Sequence, residues 1–377
     1  MDTVATRPEK SVPVLYMSLE LGERKWKLAF TPSMGQAPRL RQVSARDLAQ
    51  VEAEVEAAKA RFKLSADATV ASCYEAGRDG FWLHRALAAR GIANVVVDSA
   101  SIEVNRRARR MKSDGLDAVK LVTMLVRYHQ GESRVWRVVR VPTKAEEDQR
   151  HLHRELDVLK RDRTGLINRV KSLLATQGVG SGPRGVLPQD LAALRLWNGE
   201  PLPDELAGRL ERDCARVRMV DVQMRELVRK RKEQIKNGTG RALVIVRKLL
   251  KLRAIGPESA WIYTMELFSW RELKNVRQVG ALSGLVAAPY QSGDMDHTLG
   301  ITKAGNRLVR AIAIEIAWGW LRHQPHSALT QWYQNRYAGA GSAQRRKGIV
   351  ALARKLLVAL WKYVERDELP AGALLKA

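Results

Sequence analysis

The apolar residues of this chain change their spacing once, near residue 143, and that change limits the available folds more than any single motif. Before it, stretches of period two alternate with stretches of period 3.6, so strands and helices are interleaved. VLYMSLEL (14–21) and KWKLAFT (25–31) read as a hairpin pair, and PRLRQV (38–43) as a third strand. Ser44 stands where it would cap a helix over 45–62. TVASCYE (69–75) follows as a strand, FWLHRALAARG (81–91) as a helix ended by Gly91, NVVVDS (94–99) as a short buried strand and SDGLDAVKLVTMLVRY (113–128) as a helix. The order is β-β-β-α-β-α-β-α, an α/β arrangement whose mixed sheet carries helices on both faces.

Beyond residue 143 only helical spacing remains. Leu152, Leu156, Leu159, Leu166, Val170 and Leu173 keep a 4-3 rhythm over about three heptads, with Arg163 in one seam position. GVGSGPRGVLP (178–188) breaks the pattern, a short helix is expected over 189–197, and Pro203 opens a second long helix. That helix carries Leu206, Leu210, Cys214, Val217, Met224 and Leu227 and is closed by Asn237-Gly238. The pair suits a helical hairpin, a dimerising coiled coil or a plain helical linker, and spacing does not choose among them. From Arg241 the chain reads as helical and basic, and 251–268 has a helix, an Ile-Gly-Pro turn and another helix. This is the shape of a helix-hairpin-helix, whose turn amides can hold a nucleic-acid phosphate. Three domains are expected: 1–143, 144–240 and 241–377.

With 45% apolar residues the chain has enough material for true cores, and its 65 Lys+Arg against 40 Asp+Glu leave a formal charge of +25. Such an excess repels itself and is relieved by a polyanion, nucleic acid before an anionic membrane. No apolar run approaches the ~18 residues of a spanning helix, and MDTVATRPEKSVP lacks the apolar core of a secretory signal. Cys73 and Cys214 have no CxxC spacing, which speaks against a disulfide framework or structural zinc and fits the cytoplasm. Between Asp296 and Glu365 the only acid is Glu315, whereas Lys303, Arg307, Arg310, Arg345, Arg346 and Lys347 lie in the same span. This reads as a phosphate-binding face. Arg106, Arg107, Arg109 and Arg110 form a second basic run, either a nucleic-acid contact or a solvated helix face. Trp26, Trp82, Trp261 and Trp270 suit core packing better than base stacking.

Four acids stand where the sheet of a ribonuclease-H-like fold, which shares this element order, would gather them. Glu20 is near the end of the first strand, Glu75 ends the fourth, and Asp114 and Asp117 share one face at the start of a helix. Converging carboxylates repel unless divalent cations neutralise them, and Mg²⁺, with Mn²⁺ as the alternative, suits oxygen ligands and phosphodiester chemistry. Taken singly, Asp114 and Asp117 better suit the positive end of a helix, where first-turn acids are common, and Glu23 competes with Glu20.

At these residues the chain resembles the DEDD transposases of bacterial insertion sequences, relatives of the pilin-inverting recombinases. The matching stretches are LYMSLELGERKWKLAF, CYEAGRDGFWL, KSDGLDAVKLVTML, LRAIGPESA and GALSGLVAAPYQSGDMDHTLGITKAGNRLVRAIAIEIAW, in the family's order over nearly the whole chain. The resemblance implies a RuvC-like nuclease domain, a coiled-coil segment and a C-terminal transposase domain. It implies Glu20, Glu75, Asp114 and Asp117 as metal ligands, with Glu20 where the family usually has aspartate. It implies Ser292, within Gln291-Ser292-Gly293, as the nucleophile that forms a phosphoserine link to DNA. It further implies donor and target DNA, a guiding bridge RNA, and dimers that assemble into tetramers. Two alternatives use the same residues differently: a junction resolvase or hydrolytic nuclease with water as nucleophile, and a nucleic-acid-binding relative without catalysis.

Overall fold

The first strand, β1 (Val14–Leu21), is hydrogen-bonded along both edges and covered on both faces, and the N-terminal half of the fold is arranged around it. The computed structural model describes residues 13–102, 114–180, 187, 190–292 and 295–376. The chain divides into two units, Met1–Pro142 and Thr143–Ala377.

In the first unit β2 (Lys25–Thr31) pairs antiparallel with β1, and β3 (Arg39–Ser44) antiparallel with β2. On the other side β4 (Thr69–Glu75) runs parallel to β1, and β5 (Ala93–Val97) parallel to β4. The sheet order is β3-β2-β1-β4-β5. Alternation along β1 sends Leu15, Met17 and Leu19 to one face, against Val51 and Val55 of α1 (Leu48–Arg61) and Leu83 and Leu87 of α2 (Trp82–Ala88). Tyr16 and Ser18 face the other side, under Ala118 and Val122 of α3 (Asp114–His129). Ser44 does not cap α1: it is the last residue of β3, and its amide donates to the Gln50 side chain (2.9 Å). Arg46 turns the chain in the left-handed region (φ 69), which brings Asp47 to the cap, where its carboxylate accepts from the Gln50 amide at 3.0 Å.

The second unit begins with α4 (Lys144–Asp148), closed by a Thr143–Glu146 capping box. α5 (His151–Ala175) and α6 (Asp204–Asn237) pack antiparallel, because Arg163 meets Asp221 (2.6 Å) while the later Arg169 meets the earlier Asp213 (3.5 Å). The buried seam of α5 is Leu152, Leu156, Leu159, Ile167, Val170 and Leu174 rather than a leucine heptad. Counting Arg163, its steps are 4, 3, 4, 4, 3, 4, an eleven-residue spacing rather than a heptad, and Leu166 and Leu173 fall at the seam's margin. Over 190–200 the chain is a turn and short bridge, not a helix. Asp190 accepts from the amides of Ala192 (2.9 Å) and Ala193 (3.3 Å), which suits a turn.

Then come α7 (Arg241–Leu250) and α8 (Pro257–Tyr263), which runs into a π-helical turn at Thr264–Phe268, followed by α9 (Val276–Ser283). Next are β6 (Ala287–Ser292), β7 (Met295–Ile301), α10 (Arg307–His323), α11 (Ala328–Tyr337) and α12 (Ser342–Arg366). Val246, Leu249, Trp261, Phe268, Val309, Ile316, Trp320, Leu352 and Leu356 share one core. The β6–β7 hairpin corrects the expectation that everything after Arg241 is helical.

The seam register is directly testable. Ile167→Ala removes a buried side chain and is expected to cost about 2–5 kcal/mol, whereas Leu166→Ala costs less than roughly half of that. Guanidinium unfolding of the two variants measures the difference, and equal losses would restore the heptad.

Candidate active site

β1 and β4 keep a constant offset from Val14↔Thr69 to Leu19↔Tyr74, and one further step sets Glu20 beside Glu75. Two residues earlier, the Ser18 hydroxyl donates to the Ala118 carbonyl (2.6 Å) and the Cys73 thiol to that of Leu121 (3.7 Å), so this face lies under α3. Alternation puts Glu20 and Glu75 on the same face. α3 runs against β1, with Ala118 over Ser18 and His129 against the Tyr16 ring (5.3 Å). Its first turn, with Asp114 and Asp117, therefore lies where β1 and β4 end. Glu20 and Asp117 are half-buried and Glu75 is exposed. Glu23 belongs elsewhere: it sits in the β1–β2 turn, with Arg78 at 3.5 Å. Lys27 stands opposite Glu20 on the shared face. Among the described residues no three His, Cys, Asp or Glu side chains are grouped closely enough to hold a metal ion, and the side chain of Asp114 lies outside that description. Among the described residues, Glu20 and Glu75 thus stand at the ends of neighbouring strands, with Asp117 in the first turn of the helix that covers this face. Arg106, Arg107, Arg109 and Arg110 also lie outside the described residues.

In the second unit Ser292 ends β6, in register with Met295 of β7; its side chain and the following Gly293 and Asp294 lie outside the described residues. The base of this hairpin is pinned by its flanks. The Thr302 amide donates to the Val286 carbonyl (2.8 Å), that of Lys303 to Gly284 (3.2 Å) and that of Asn306 to Leu282 (2.8 Å). Gly305 (φ 146) is required there, because a Cβ would stand 2.5 Å from the Leu282 carbonyl oxygen. Of the basic residues, Lys303 and Arg307 are exposed, and Arg310 is engaged by the carbonyls of Ser283 (3.2 Å) and Lys303 (3.0 Å). Arg345, Arg346 and Lys347 are exposed at the start of α12, whose first turn has no acid.

A group that sequence reasoning missed lies beneath this hairpin. Glu266, in the π-helical turn, is 2% exposed. It accepts from His153 Nε2 (2.8 Å), from Arg154 (2.7 and 3.0 Å) and from the amide of Asn306 (2.8 Å). Asn306 in turn caps α10 by accepting from the amides of Leu308 (2.9 Å) and Val309 (3.1 Å). Burial pushes the Glu266 carboxyl up, but hydrogen bonds from His153 and Arg154 and their charge outweigh it and hold the group at about 2. The one available signal was a single acid inside the apolar run WIYTMELFSW. Trp26, Trp261 and Trp270 are buried, and Trp82 packs on Trp26 at 6.0 Å.

The profile of the transposase IS116/IS110/IS902 family matches residues 246–334, the segment that holds Glu266, the hairpin and the first turns of α10. A putative transposase, y4rJ, of Sinorhizobium fredii is 40% identical over 375 residues, 96% of this chain and 94% of that protein. This chain belongs to the IS116/IS110/IS902 transposase family. A probable family 20 transposase of Pseudomonas aeruginosa is 30% identical, over 60% of this chain and 67% of that protein. The transposase for insertion sequence element IS1328 of Yersinia enterocolitica is 25% identical, over 56% and 60% of the respective chains. Among the described residues no helix of this transposase is long and apolar enough to cross a membrane.

Within the family-defining segment, Glu266 makes a pH signature. Its folded pKa lies below the ordinary carboxylate value, so its stabilising contribution of about 3 kcal/mol is complete above roughly pH 4.5 and is lost as pH falls toward about 2. The Tm difference between wild type and Glu266→Gln should therefore shrink steadily from pH 5 to pH 2 (roughly, by the same linkage). A pH-independent difference would assign Glu266 another role.

Proposed function

We propose that this transposase cleaves and rejoins DNA strands with a divalent metal held by Glu20, Glu75, Asp114 and Asp117 and with Ser292 as nucleophile. One arrangement supports the reading above the rest: Glu20 and Glu75 each follow the last registered pair of β1 and β4, Leu19↔Tyr74, on strands covered by α3, the helix that opens with Asp114 and Asp117. The order β3-β2-β1-β4-β5, with β2 alone running opposite to the other four strands, supports a RuvC-like, ribonuclease-H-like first unit. The all-oxygen donor set fits Mg²⁺ or Mn²⁺, which commonly takes one or two carboxylates and completes its shell with water and substrate phosphate oxygens. Bound there, the ion would neutralise charge developing on the reacting phosphate.

In the strand-cutting step the Ser292 hydroxyl gives up its proton as Oγ forms a bond to phosphorus, the bond from phosphorus to the 3′ oxygen breaks, and that oxygen takes up one proton and leaves as a 3′ hydroxyl, so no proton is gained or lost overall. Reversal by a different 3′ hydroxyl rejoins the strand with no external energy source. Glu20 carries one methylene more than the aspartate usual in the family, and it stands half-buried near the strand end. The exposed basic triplet Arg345, Arg346 and Lys347 near the start of α12, where no acid pairs with it in the first turn, supports a polyanion contact, with Lys303 and Arg307 as further contacts. The resemblance adds donor and target DNA, a guiding bridge RNA and a dimer or tetramer, with the α5–α6 hairpin as the coiled-coil segment.

The test is recombination on a plasmid carrying the element's ends, together with trapping of an SDS-resistant protein–DNA adduct. Asp117→Ala and Ser292→Ala are expected to reduce both recombination and the adduct to background while DNA binding persists, the first by loss of the metal and the second by loss of the attacking oxygen. Glu20→Gln should be inactive and Glu20→Asp active. Strand cleavage by Ser292→Ala would show water to be the nucleophile and overturn the serine step.

A further inference from the structure

At the C-terminal edge of the sheet, one strand beyond Glu75, a cavity of about 440 Å³ opens between the end of β5 and residues 133–137. Asp98, Ser101, Ser133, Arg134, Trp136 and Arg137 line it. Its walls are fixed by backbone pairing. Val97 bridges antiparallel to Val138, and the Asp98 amide donates to the Arg137 carbonyl (2.9 Å). Ser101 Oγ accepts from the Arg137 amide (2.8 Å) and donates to the Asp98 carbonyl (2.7 Å). Trp136 is buried against Tyr128, with ring centroids 5.9 Å apart, and forms a rigid floor.

On this frame Arg134 and Arg137 are both exposed, and among the described residues neither guanidinium has a carboxylate partner. Asp98, on the facing wall, is engaged by an interaction of its own. Two forked donors and the Ser133 hydroxyl around a polar recess match the two non-bridging oxygens of a phosphodiester better than a lone ammonium would. The place matters as much as the chemistry. Glu75 is in register with Val97, whose next residue lines the cavity, and neighbouring strands lie only about 5 Å apart. A polynucleotide with its reacting phosphate at the carboxylates would carry an adjoining phosphate over Arg134 and Arg137.

We propose that Arg134 and Arg137 form a subsite for a backbone phosphate of the DNA strand, adjoining the bond that is cut. The proposal rests on reading the Glu20–Glu75 edge as the cleavage centre. The subsite contributes to affinity and register on the strand and does no bond chemistry itself.

The experiment uses the full chain without divalent metal, so that binding is read whether or not strand chemistry proceeds as proposed above. A fluorescent duplex spanning the element's end is titrated over a range of salt with wild type, Arg134→Ala/Arg137→Ala and Arg134→Lys/Arg137→Lys. The slope of log K against log salt should fall by about 1–2 in the alanine pair and stay near wild type in the lysine pair, which keeps the charges. Neutral methylphosphonates are then placed one at a time along the strand. Wild type should lose affinity at a phosphate adjoining the cleaved bond, and the alanine pair should be indifferent there. An unchanged slope, interference only at distant phosphates, or lost affinity confined to a transcript of the element's flanking non-coding segment would each overturn the subsite. Failure of the Ser292 adduct with the altered slope intact would reject the strand chemistry and leave the subsite standing.

Discussion

The register of β1 is the constraint on which the N-terminal unit depends. The strand is bonded antiparallel on one edge and parallel on the other, and each face meets a different helix layer. A slip of one residue would carry Leu15, Met17 and Leu19 to the α3 side and drive Tyr16, Ser18 and Glu20 into the apolar layer of α1 and α2. Moving an ionised carboxylate there without a partner costs several kcal/mol, and three large apolar side chains would lose their core at the same time. The packing that selects the fold thus also selects the face on which Glu20 stands. The Ser18 hydroxyl on the Ala118 carbonyl makes the coupling tighter, because it fixes the height of α3 over the strand and with it the start of the helix at the acids.

The second unit solves a related problem with a buried charge. Glu266 joins α5, the π-helical turn and the cap of α10 through four donor atoms, so a carboxylate that burial disfavours is fully engaged. The extra residue of a π turn re-aims a side chain that an uninterrupted α-helix would point elsewhere. Asn306 completes the connection, since the residue that donates to Glu266 also caps α10 and donates its backbone amide to the Leu282 carbonyl. A change at Glu266 would therefore act on the base of the β6–β7 hairpin without touching the hairpin itself.

Much of the fold was legible because its causes are local. β1 and β2 were read to the residue, and α6 between Pro203 and Gly238 likewise, since alternation, a helix-breaking proline and a terminal glycine act over a few residues. What failed needed information from elsewhere. The α5 seam buries Ile167 rather than Leu166, and Arg163 in that seam pairs with Asp221 of α6, a partner that spacing along α5 does not reveal. Ser44 and Asp47 are both good caps, and only the left-handed turn at Arg46 decides between them. The β6–β7 hairpin was hidden by Pro289 and by the Ser-Gly-Asp stretch, which look like a loop in isolation. Of the candidate site, the strand positions of Glu20 and Glu75 were legible from alternation, whereas the setting of Arg134 and Arg137 depends on a bridge between residues 97 and 138 that local pattern does not announce.

The charge distribution gives these separate features a common sense. A helix start is already positive, yet α12 has no acid in its first turn and places Arg345, Arg346 and Lys347 in its fourth to sixth positions. Among nearby acids only Glu315 lies between Asp296 and Glu365, so local pairing does not relieve the repulsion. Selection for stability alone would place acids there, because each favourable end charge adds some tenths of a kcal/mol. The retained repulsion is therefore best understood as part of a binding equilibrium, in which a polyanion that associates with the folded chain stabilises it by mass action. On that argument the protein without its nucleic acid is the less stable partner, and its stability should follow ligand concentration as much as any contact within the chain.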